Sequence, residues 1–344
     1  MIFPYARVQD RLKLQSSHWL VSGGAGFIGS HLVEKLLSLG QRVRVLDNYF
    51  SSTPENLKQV IERVGQGAAG RVEMMVGDIR SKETCATAIK GVDHVIHLAA
   101  LGSVPHSLAE PLLCHEINAT GTLNMMLATR EAGLQRFIYA SSSAVYGDDP
   151  LPMKREDSLG RTLSPYAASK YVSEIYATTL HAAYGFEPVG LRFFNVFGPR
   201  QDPAGAYAAV IPCWIHAMTK GDPVYINGDG GHTRDFCFVK DVVQALLLAS
   251  FAENNEAFGM AFNVGLGRAT DLNELYKTLR GLVQERTGKP VAAAIHRDFR
   301  PGDIRHSCAD IARVEGVLGF QPEYAVADGL RETVAVMGFP RGSA

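Results

Sequence analysis

The residues in this sequence best suited to chemistry are Tyr166 and Lys170, which lie four positions apart in the segment 164–170. Residues four apart share one face of a helix, and Pro165 is typical of a first helical turn. Because a neighbouring ammonium favours the phenolate, we expect Lys170 to lower the pKa of Tyr166 from about 10 toward neutrality. A tyrosinate of this kind is a general base that can also return its proton.

Three consecutive serines, Ser141 to Ser143, precede this tyrosine by about twenty residues and follow the apolar run 137–140, a predicted strand. Hydroxyl groups at the carboxyl end of a parallel strand lie where such sheets bind ligands. The Tyr-x-x-x-Lys pattern alone is frequent by chance. Its convergence with the serines at one sheet edge predicts a catalytic site.

A glycine-rich turn with Gly23, Gly26 and Gly29 must position a ligand beside these groups. The turn follows a short apolar run, 18–22, and opens a segment of helical periodicity that ends at Gly40. Strand, turn and helix in this order form a dinucleotide-binding unit, because the glycines let the pyrophosphate approach the backbone. The helix N-terminus adds free N–H groups and the positive end of its dipole.

An acidic residue, Asp47, ends the next predicted strand, 42–46, about twenty residues after the glycines. A carboxylate at this position accepts hydrogen bonds from the adenosine ribose and repels a 2′-phosphate. The sequence therefore predicts NAD rather than NADP as the cofactor.

Strands predicted at 72–76, 94–97 and 137–140 alternate with helical segments, including a long one at 112–132. This alternation predicts an α/β fold with a parallel, doubly wound Rossmann sheet, whose ligand lies at the carboxyl ends of the strands. Beyond Leu191 the shorter segments, rich in Pro and Gly, predict a smaller mixed α/β C-terminal lobe that binds the substrate.

The predicted domain boundaries follow from this change of pattern. A late strand at 262–265 is expected to return to the main sheet. The resulting division is an N-terminal extension at 1–15, an NAD-binding Rossmann domain at 16–190 with return segments near 235–268, and a substrate lobe at 191–234 and 269–338.

The composition of the 344 residues, 46% hydrophobic and 20% charged with a net charge of −1, is ordinary for a globular protein. It gives no reason to expect nucleic acid or an acidic membrane as a partner. The five cysteines include no close pair, which fits neither a disulfide framework nor a zinc site, so we expect no metal and a reducing compartment. Without an apolar run of signal-peptide or membrane-spanning length, the sequence predicts a cytoplasmic protein.

The motifs occur in the order seen in extended short-chain dehydrogenases/reductases: the glycine turn, Asp47, Gly77-Asp78, the serines, the Tyr/Lys pair and the segment 192–199. Within that group the chain resembles nucleotide-sugar 4-epimerases of the UDP-galactose epimerase type. It is most similar to the bacterial UDP-N-acetylglucosamine 4-epimerases of surface-polysaccharide pathways. The narrower likeness lies in the segments 99–105, 201–212, 224–229 and 300–307, and the resemblance extends from about residue 5 to about residue 335.

The resemblance implies C4 epimerisation of a UDP-N-acetylhexosamine, UDP-GlcNAc to UDP-GalNAc, through a transient 4-keto sugar, with NAD tightly bound and not consumed. Tyr166 would exchange a proton with the 4-hydroxyl, Ser142 would hold the 4-oxygen, and Lys170 would bind the nicotinamide ribose. The cofactor residues expected are Gly23, Gly26, Phe27, Ile28, Gly29, Asp47, Asn48, Asp78, Ile79, Ala99, Ala100, Asn118, Tyr166 and Lys170. The substrate residues expected are Gly102, Ser103, Ser142, Ser143, Asn195, Gln201, Ala209, Val210, Tyr225, Arg234, Arg300, Asp303 and Ser307.

The resemblance places Ser307 beside the sugar 2-position, where a small side chain leaves room for an acetamido group; alternatively, Ser307 only caps a helix beginning around Asp310. His106 and the pair Gly231-His232 depart from the narrower pattern. The preferred sugar therefore stays open between UDP-N-acetylglucosamine, its uronic acid and UDP-glucose.

The resemblance also bears on the type of reaction. Related dehydratases and decarboxylases carry an additional acid near the serines, where this chain has Ala144. Alternatives to an epimerase are a net oxidoreductase that exchanges its cofactor and, from another class, a non-catalytic NAD-binding regulatory protein. The family further leads us to expect a homodimer formed through a four-helix interface.

Overall fold

Strands and helices alternate through residues 4–203, 209–299 and 304–337, the part of the chain that the computed structural model describes. The strands are β1 His18–Ser22, β2 Arg42–Asp47, β3 Val72–Val76, β4 His94–His97, β5 Arg136–Ser142, β6 Met153–Lys154, β7 Glu187–Phe193, β8 Tyr225–Asn227, β9 Thr233–Asp235, β10 Met260–Val264, β11 Ala269–Asp271, β12 Ile295–Arg297 and β13 His306–Ala309. The helices are α1 Tyr5–Leu14, α2 Phe27–Ser38, α3 Pro54–Val64, α4 Lys82–Ile89, α5 Val104–Ala109, α6 Pro111–His115, α7 Gly121–Glu131, α8 Pro165–Tyr184, α9 Val210–Lys220, α10 Val239–Ser250, α11 Leu272–Thr287, α12 Ala312–Leu318 and α13 Val326–Val336.

The main sheet has seven strands in the order β10-β7-β5-β4-β1-β2-β3, and every neighbouring pair is parallel. The order reverses between β1 and β4, which creates a crevice at the carboxyl ends of the strands. The predicted α/β fold with a doubly wound parallel sheet is therefore confirmed. The predicted late strand is also confirmed, since β10 pairs with β7 at the edge.

Buried apolar residues explain why the first unit forms. In β1 the side chains of Trp19, Leu20 and Val21 are fully buried, as expected for a central parallel strand covered on both faces. Helix α2 buries Leu32 and Leu36 against the sheet. The first unit therefore presents its glycine turn at the carboxyl edge of the sheet.

Two smaller sheets lie outside the main one: a four-stranded mixed sheet ordered β11-β9-β13-β6 and the parallel pair β12-β8. They correspond to the predicted smaller lobe, but two details differ from the predicted boundary. Residues 191–193 belong to β7 of the main sheet, and β6, inside the predicted Rossmann range, pairs with β13. Both differences arise because strands pair with partners that are distant in sequence.

The helical segment predicted at 112–132 consists of α6 and α7 joined by a π-helical turn at Glu116–Thr120. The N-terminal extension contains α1, which packs against α10 and buries Val8 and Leu12. In the described residues, no helix is long and apolar enough to cross a membrane. The same part of the chain contains no group of three or more His, Cys, Asp or Glu residues arranged to hold a metal ion.

Candidate active site

A cavity of about 650 Å³ follows the carboxyl ends of the main-sheet strands. It brings together most of the residues expected from the sequence. The expected cofactor residues that line it are Gly23, Gly26, Phe27, Ile28, Gly29, Asp47, Asn48, Asp78, Ile79, Ala99, Ala100, Tyr166 and Lys170. The expected substrate residues that line it are Gly102, Ser103, Ser142, Ser143, Asn195 and Gln201.

The glycine turn at one end of this cavity leaves no space for side chains. Gly23 has a φ of +70°, and a Cβ there would lie 2.6 Å from the backbone nitrogen of Ala99. A Cβ on Gly29 would lie 2.1 Å from the carbonyl oxygen of Gly23. The N-cap of α2, Gly26, forms no side-chain cap, so the first N–H groups of the helix remain available to an anion. This backbone cradle fits the pyrophosphate of a dinucleotide.

Asp47 lines the cavity at the end of β2 and also shapes the loop that follows. Its Oδ2 accepts a hydrogen bond of 3.0 Å from the N–H of Ala25, and its Oδ1 accepts bonds from Tyr49 N (2.9 Å) and Ser52 Oγ (2.8 Å). A carboxylate oxygen can accept more than one hydrogen bond, so these contacts leave acceptor capacity for a ribose. The position fits the adenosine end of NAD.

Helix α8 brings Tyr166 to the other end of the cavity. Ser164 caps the helix by accepting a hydrogen bond of 3.1 Å from Ala167 N, and Pro165 occupies the first turn, as predicted. Tyr166 N donates to Ser107 Oγ at 3.1 Å, which ties the first turn to α5. Tyr166 lines the cavity together with Ser142 at the end of β5, and the Ser142 hydroxyl favours a lower pKa of the phenol.

The pKa of Tyr166 does not change in the direction expected from the sequence. Burial raises the pKa of Tyr166, and the Ser142 hydroxyl opposes this rise. The Lys170 ammonium donates instead to the carbonyl oxygen of Ala140 at 2.7 Å, and burial lowers its pKa to about 8. The predicted lowering of the Tyr166 pKa toward neutrality is therefore not found in this structure, because burial is the largest influence on the phenol and raises its pKa.

The serine run divides its side chains between two sides of β5. Ser142 Oγ accepts a hydrogen bond of 3.1 Å from Ala144 N and lines the cavity beside Tyr166. The preceding Ser141 donates to the buried carboxylate of Glu174. Alternation of side chains along a strand explains why neighbouring serines have different partners.

A second cavity of about 280 Å³ adjoins the first, with which it shares Asn195, Val196 and Gln201. The further expected substrate residues that line it are Ala209, Val210 and Arg234. An elongated ligand can therefore extend from the tyrosine end of the main cavity toward an arginine. Arginine suits a diphosphate because its planar guanidinium donates several hydrogen bonds.

Asn118 does not line either cavity in the described part of the chain. Its amide forms a hydrogen-bonded pair with the backbone of Leu101, at 2.8 and 3.1 Å, and donates to Ser169 Oγ at 3.0 Å. Its position therefore does not support a direct contact with the cofactor. Asn118 instead holds the loop after β4 against α8, next to Lys170.

Two expected substrate residues lie on the smaller sheets, outside the walls that the described residues give to both cavities. Tyr225 begins β8, and the guanidinium carbon of Arg297 lies 3.2 Å from the centroid of its ring. Ser307 lies in β13, in register with Arg234 of β9. Arg300 and Asp303 lie outside the described residues.

The alternative role for Ser307 as a helix cap is wrong. Helix α12 begins at Ala312, and the side chain of its N-cap residue, Ile311, forms no capping hydrogen bond. The N–H of Ala312 donates to Asp310 Oδ1 at 3.0 Å, so the side chain at this helix start belongs to Asp310 and not to Ser307. Ser307 is a strand residue instead.

Cavity residues that the sequence did not identify include Phe50 and His232. Phe50 lies three residues after Asp47, in the loop that follows β2, so its place after a strand end could have revealed it. Its ring stacks on that of His106, with 5.9 Å between the ring centroids. His232 lines the second cavity, is buried, and has no hydrogen-bond partner for Nδ1 among the described residues. The sequence did indicate His232 indirectly, because this residue departs from the family pattern two positions before Arg234.

The comparisons with known proteins agree with this geometry. The UDP-glucose 4-epimerase of Mycolicibacterium smegmatis is 37% identical over 317 residues, which cover 92% of this chain and 96% of that protein. A solved UDP-N-acetylglucosamine 4-epimerase from Methanobrevibacter ruminantium, in complex with UDP-N-acetylmuramic acid, has a TM-score of 0.83 and 37% identity, covering 93% of this chain and 98% of that chain. The UDP-glucose 4-epimerase of Thermus thermophilus, in complex with NAD, has a TM-score of 0.78 and 36% identity, covering 95% of this chain and 100% of that chain.

The family model that matches residues 19–265 is the one described as the NAD dependent epimerase/dehydratase family. Its match includes the glycine turn, Asp47, the serines and the Tyr166/Lys170 pair. The chain belongs to the NAD dependent epimerase/dehydratase family.

Proposed function

We propose that this protein is an NAD-dependent UDP-sugar 4-epimerase that interconverts UDP-N-acetylglucosamine and UDP-N-acetylgalactosamine. The observation that carries the proposal is the convergence of Ser142, Tyr166 and Lys170 on one cavity that continues into a second one containing Arg234. The first cavity provides a dinucleotide cradle and an acid–base group, and the second provides a cation for the diphosphate.

In this proposal Tyr166 takes the proton of the sugar 4-hydroxyl and later returns it to the 4-oxygen, after a hydride has returned to the opposite face of C4. Ser142, which lines the same cavity as Tyr166, holds the 4-oxygen during both transfers. When bound, NAD supplies the chemistry of accepting a hydride from C4 and returning it. Between the two transfers the 4-keto sugar rotates about its diphosphate linkage and presents its other face. Arg234 and Asn195 hold the diphosphate during this rotation.

The surroundings of the serines favour epimerisation over dehydration or decarboxylation. Those reactions need a further acid or base beside the 4-keto sugar. Ala144 occupies the position where such a group would stand, and it lines the cavity beside Ser142 and Ser143. The carboxylates among the described lining residues belong to Asp47 and Asp78, which lie at the carboxyl ends of β2 and β3. Strands β1 and β4 separate them from β5, which carries the serines.

The choice of an N-acetylated sugar rests on Ser307. Residues in register on adjacent strands direct their side chains to the same face. Since β13 pairs Ser307 with Arg234, which lines the second cavity, we expect the serine on the same face of the sheet as that arginine, next to the cavity wall rather than in it. A serine there leaves volume for an acetamido group. UDP-glucose and the uronic acid are the competing substrates.

A homodimer is part of the proposal. Helices α6 and α8 pack against each other and expose apolar side chains to solvent, with Leu112 69% and Ile175 49% exposed. Two such pairs of helices, one from each protomer, would bury these side chains in a four-helix interface. We also propose a cytoplasmic location, which fits the five cysteines, all of them free.

The proposal is tested with purified protein and a panel of UDP-N-acetylglucosamine, its uronic acid and UDP-glucose, with no cofactor added. We expect the protein to contain bound NAD and to convert the first sugar to its 4-epimer, identified by NMR. A requirement for added NAD in stoichiometric amounts would indicate a net oxidoreductase. Bound NAD without conversion of any of the three sugars would indicate a regulatory protein.

A further inference from the structure

An ion pair buried behind the candidate catalytic groups takes no part in the proposed reaction. The Arg192 and Glu174 side chains are only 5% and 8% exposed. Arg192 Nη2 lies 2.7 Å from Glu174 Oε2, and Arg192 Nε donates to Oε1 at 2.9 Å. This paired geometry fixes both side chains in one orientation.

The pair connects three elements. Glu174 lies on α8, Arg192 on β7, and Ser141 of β5 donates a hydrogen bond to the same carboxylate. Parallel pairing aligns Ser141 with Arg192 across the two strands. A third nitrogen of the guanidinium, Nη1, donates to the Tyr146 hydroxyl at 3.0 Å. The carboxyl ends of β5 and β7 are thereby fastened to one side of α8.

Each end of this network is next to a group of the proposed mechanism. Ser141 directly precedes Ser142, and Glu174 follows Lys170 by one helical turn. Lys170 in turn donates to Ala140, the residue before Ser141. The strand end that carries the serines is therefore held to the helix that carries Tyr166 by two contacts, one from Lys170 and one from Glu174.

Resting on the proposed function, we propose that Glu174 and Arg192 are positioning residues, which hold the Ser141–Ser142 strand end against α8 and keep a carboxylate beside the Lys170 ammonium. A buried ion pair contributes little net stability compared with apolar residues of similar volume, so a specific orientation is the better reason for its presence. Small displacements of reacting groups reduce turnover strongly, by as much as about a hundredfold for 1 Å.

The charge of Glu174 also bears on Lys170. The titratable groups that act on Lys170 or respond to it are Cys114 on α6, Glu174 on α8 and His97 on β4, and Tyr166 precedes Lys170 by one turn of α8. Burial lowers the pKa of His97 to about 3, so this imidazole is neutral at assay pH. Cys114 and, to a smaller extent, Glu174 oppose the lowering of the Lys170 pKa that burial causes. Loss of this carboxylate therefore makes the ammonium release its proton at a lower pH.

The test compares Glu174→Gln and Glu174→Asp with Glu187→Gln. Glutamine keeps the shape and loses the charge, whereas aspartate keeps the charge and shortens the reach. Glu187 provides a matched control, since its ion pair with Arg136, at 2.7 Å, joins the opposite ends of the same two strands, β7 and β5. The measurements are the pH profile of kcat, KM for the UDP-sugar, bound NAD, thermal unfolding and amide hydrogen exchange.

For Glu174→Gln we expect kcat to fall about tenfold or more with KM almost unchanged, and the alkaline limb of the kcat profile to move to lower pH. Glu174→Asp should lose turnover but keep the position of that limb. Hydrogen exchange should accelerate at residues 140–142 in both variants. Glu187→Gln should leave kcat, its pH profile and this exchange as in the wild type.

The positioning role is overturned if Glu174→Gln keeps the wild-type kcat and pH profile, or if the Glu174 and Glu187 variants lose turnover only in proportion to their loss of thermal stability. Failure of the wild-type protein to epimerise any UDP-sugar would overturn the proposed function instead. In that case hydrogen exchange at 140–142 decides the positioning role by itself, because it needs no substrate. Unchanged exchange in both Glu174 variants would then reject it.

Discussion

Lys170 donates a hydrogen bond of 2.7 Å to the carbonyl oxygen of Ala140, which joins the candidate catalytic helix to the end of strand β5. The contact orients the ammonium toward the strand, while the Tyr166 phenol lines the cavity together with Ser142, whose hydroxyl favours a lower pKa of the phenol. Burial, the largest influence on this lysine, lowers its pKa to about 8. The two groups of the Tyr-x-x-x-Lys pair therefore lie beside different residues of one strand end.

The first prediction concerns pH. If the proposed reaction needs the Lys170 ammonium, kcat should decrease as the pH rises through about 8, because the lysine then loses its charge. Lys170→Arg keeps a charge at all assay pH values, so its residual kcat should lack this alkaline limb. The check is a kcat–pH profile of both proteins with bound NAD quantified. An identical alkaline limb in the two proteins would assign the limb to another group.

The second prediction concerns Tyr166. Replacing it with Phe removes the proton-transferring hydroxyl and leaves the ring, so kcat should fall by about a hundredfold or more while bound NAD and thermal unfolding stay unchanged. Tyr171→Phe is the matched control, since this tyrosine lies on the same helix and is partly exposed to solvent. Turnover near the wild-type value in Tyr166→Phe would remove this residue from the mechanism.

The third prediction concerns the choice of cofactor. Asp47→Asn should reduce the preference for NAD over NADP, because it removes the carboxylate that repels a 2′-phosphate and keeps a side chain of similar shape. Asp47→Ala should in addition weaken NAD binding, since the N–H groups of Ala25 and Tyr49 lose their acceptor. Both effects are measured by titrating cofactor-free protein with each dinucleotide. Native protein that is purified with NADP would contradict the ribose-binding role of Asp47.

The fourth prediction concerns the sugar. Ser307→Tyr should lose activity on UDP-N-acetylglucosamine and keep or gain activity on UDP-glucose, because the larger ring occupies the volume of the acetamido group. An overfilled site costs about 1–3 kcal/mol, which corresponds to roughly ten- to a hundredfold or more in discrimination. Ser307→Ala, which keeps the volume, should retain both activities. Equal losses of kcat/KM on both sugars in Ser307→Tyr would mean that the residue is structural.

Local pattern in the sequence determined the first βαβ unit and the segment that carries Tyr166. Strand β1, the glycine turn and helix α2 could be predicted because buried strands, tight turns and helix starts each depend on neighbouring residues. The same holds for Pro165 and Ser164 at the start of α8. The order of strands and helices then sufficed for the parallel sheet and for the edge at which the ligand lies.

Contacts between residues far apart in sequence were decided only by the tertiary structure. The sequence analysis assigned Asn118 to the cofactor, but it could not show that the amide binds Leu101 and Ser169, 17 and 51 residues away. The pairing of β13 with β9, which aligns Ser307 with Arg234, likewise joins distant segments.

The same limit applies to ionisation and to buried networks. The sequence places Lys170 one helical turn from Tyr166 and suggests a lowered tyrosine pKa, but it cannot show that burial removes water from both groups. Nor does it reveal that Glu174 meets Arg192, 18 residues away, behind the serines. Spacing along the chain determines which residues share an element, whereas dehydration and charge pairing depend on how the elements pack together.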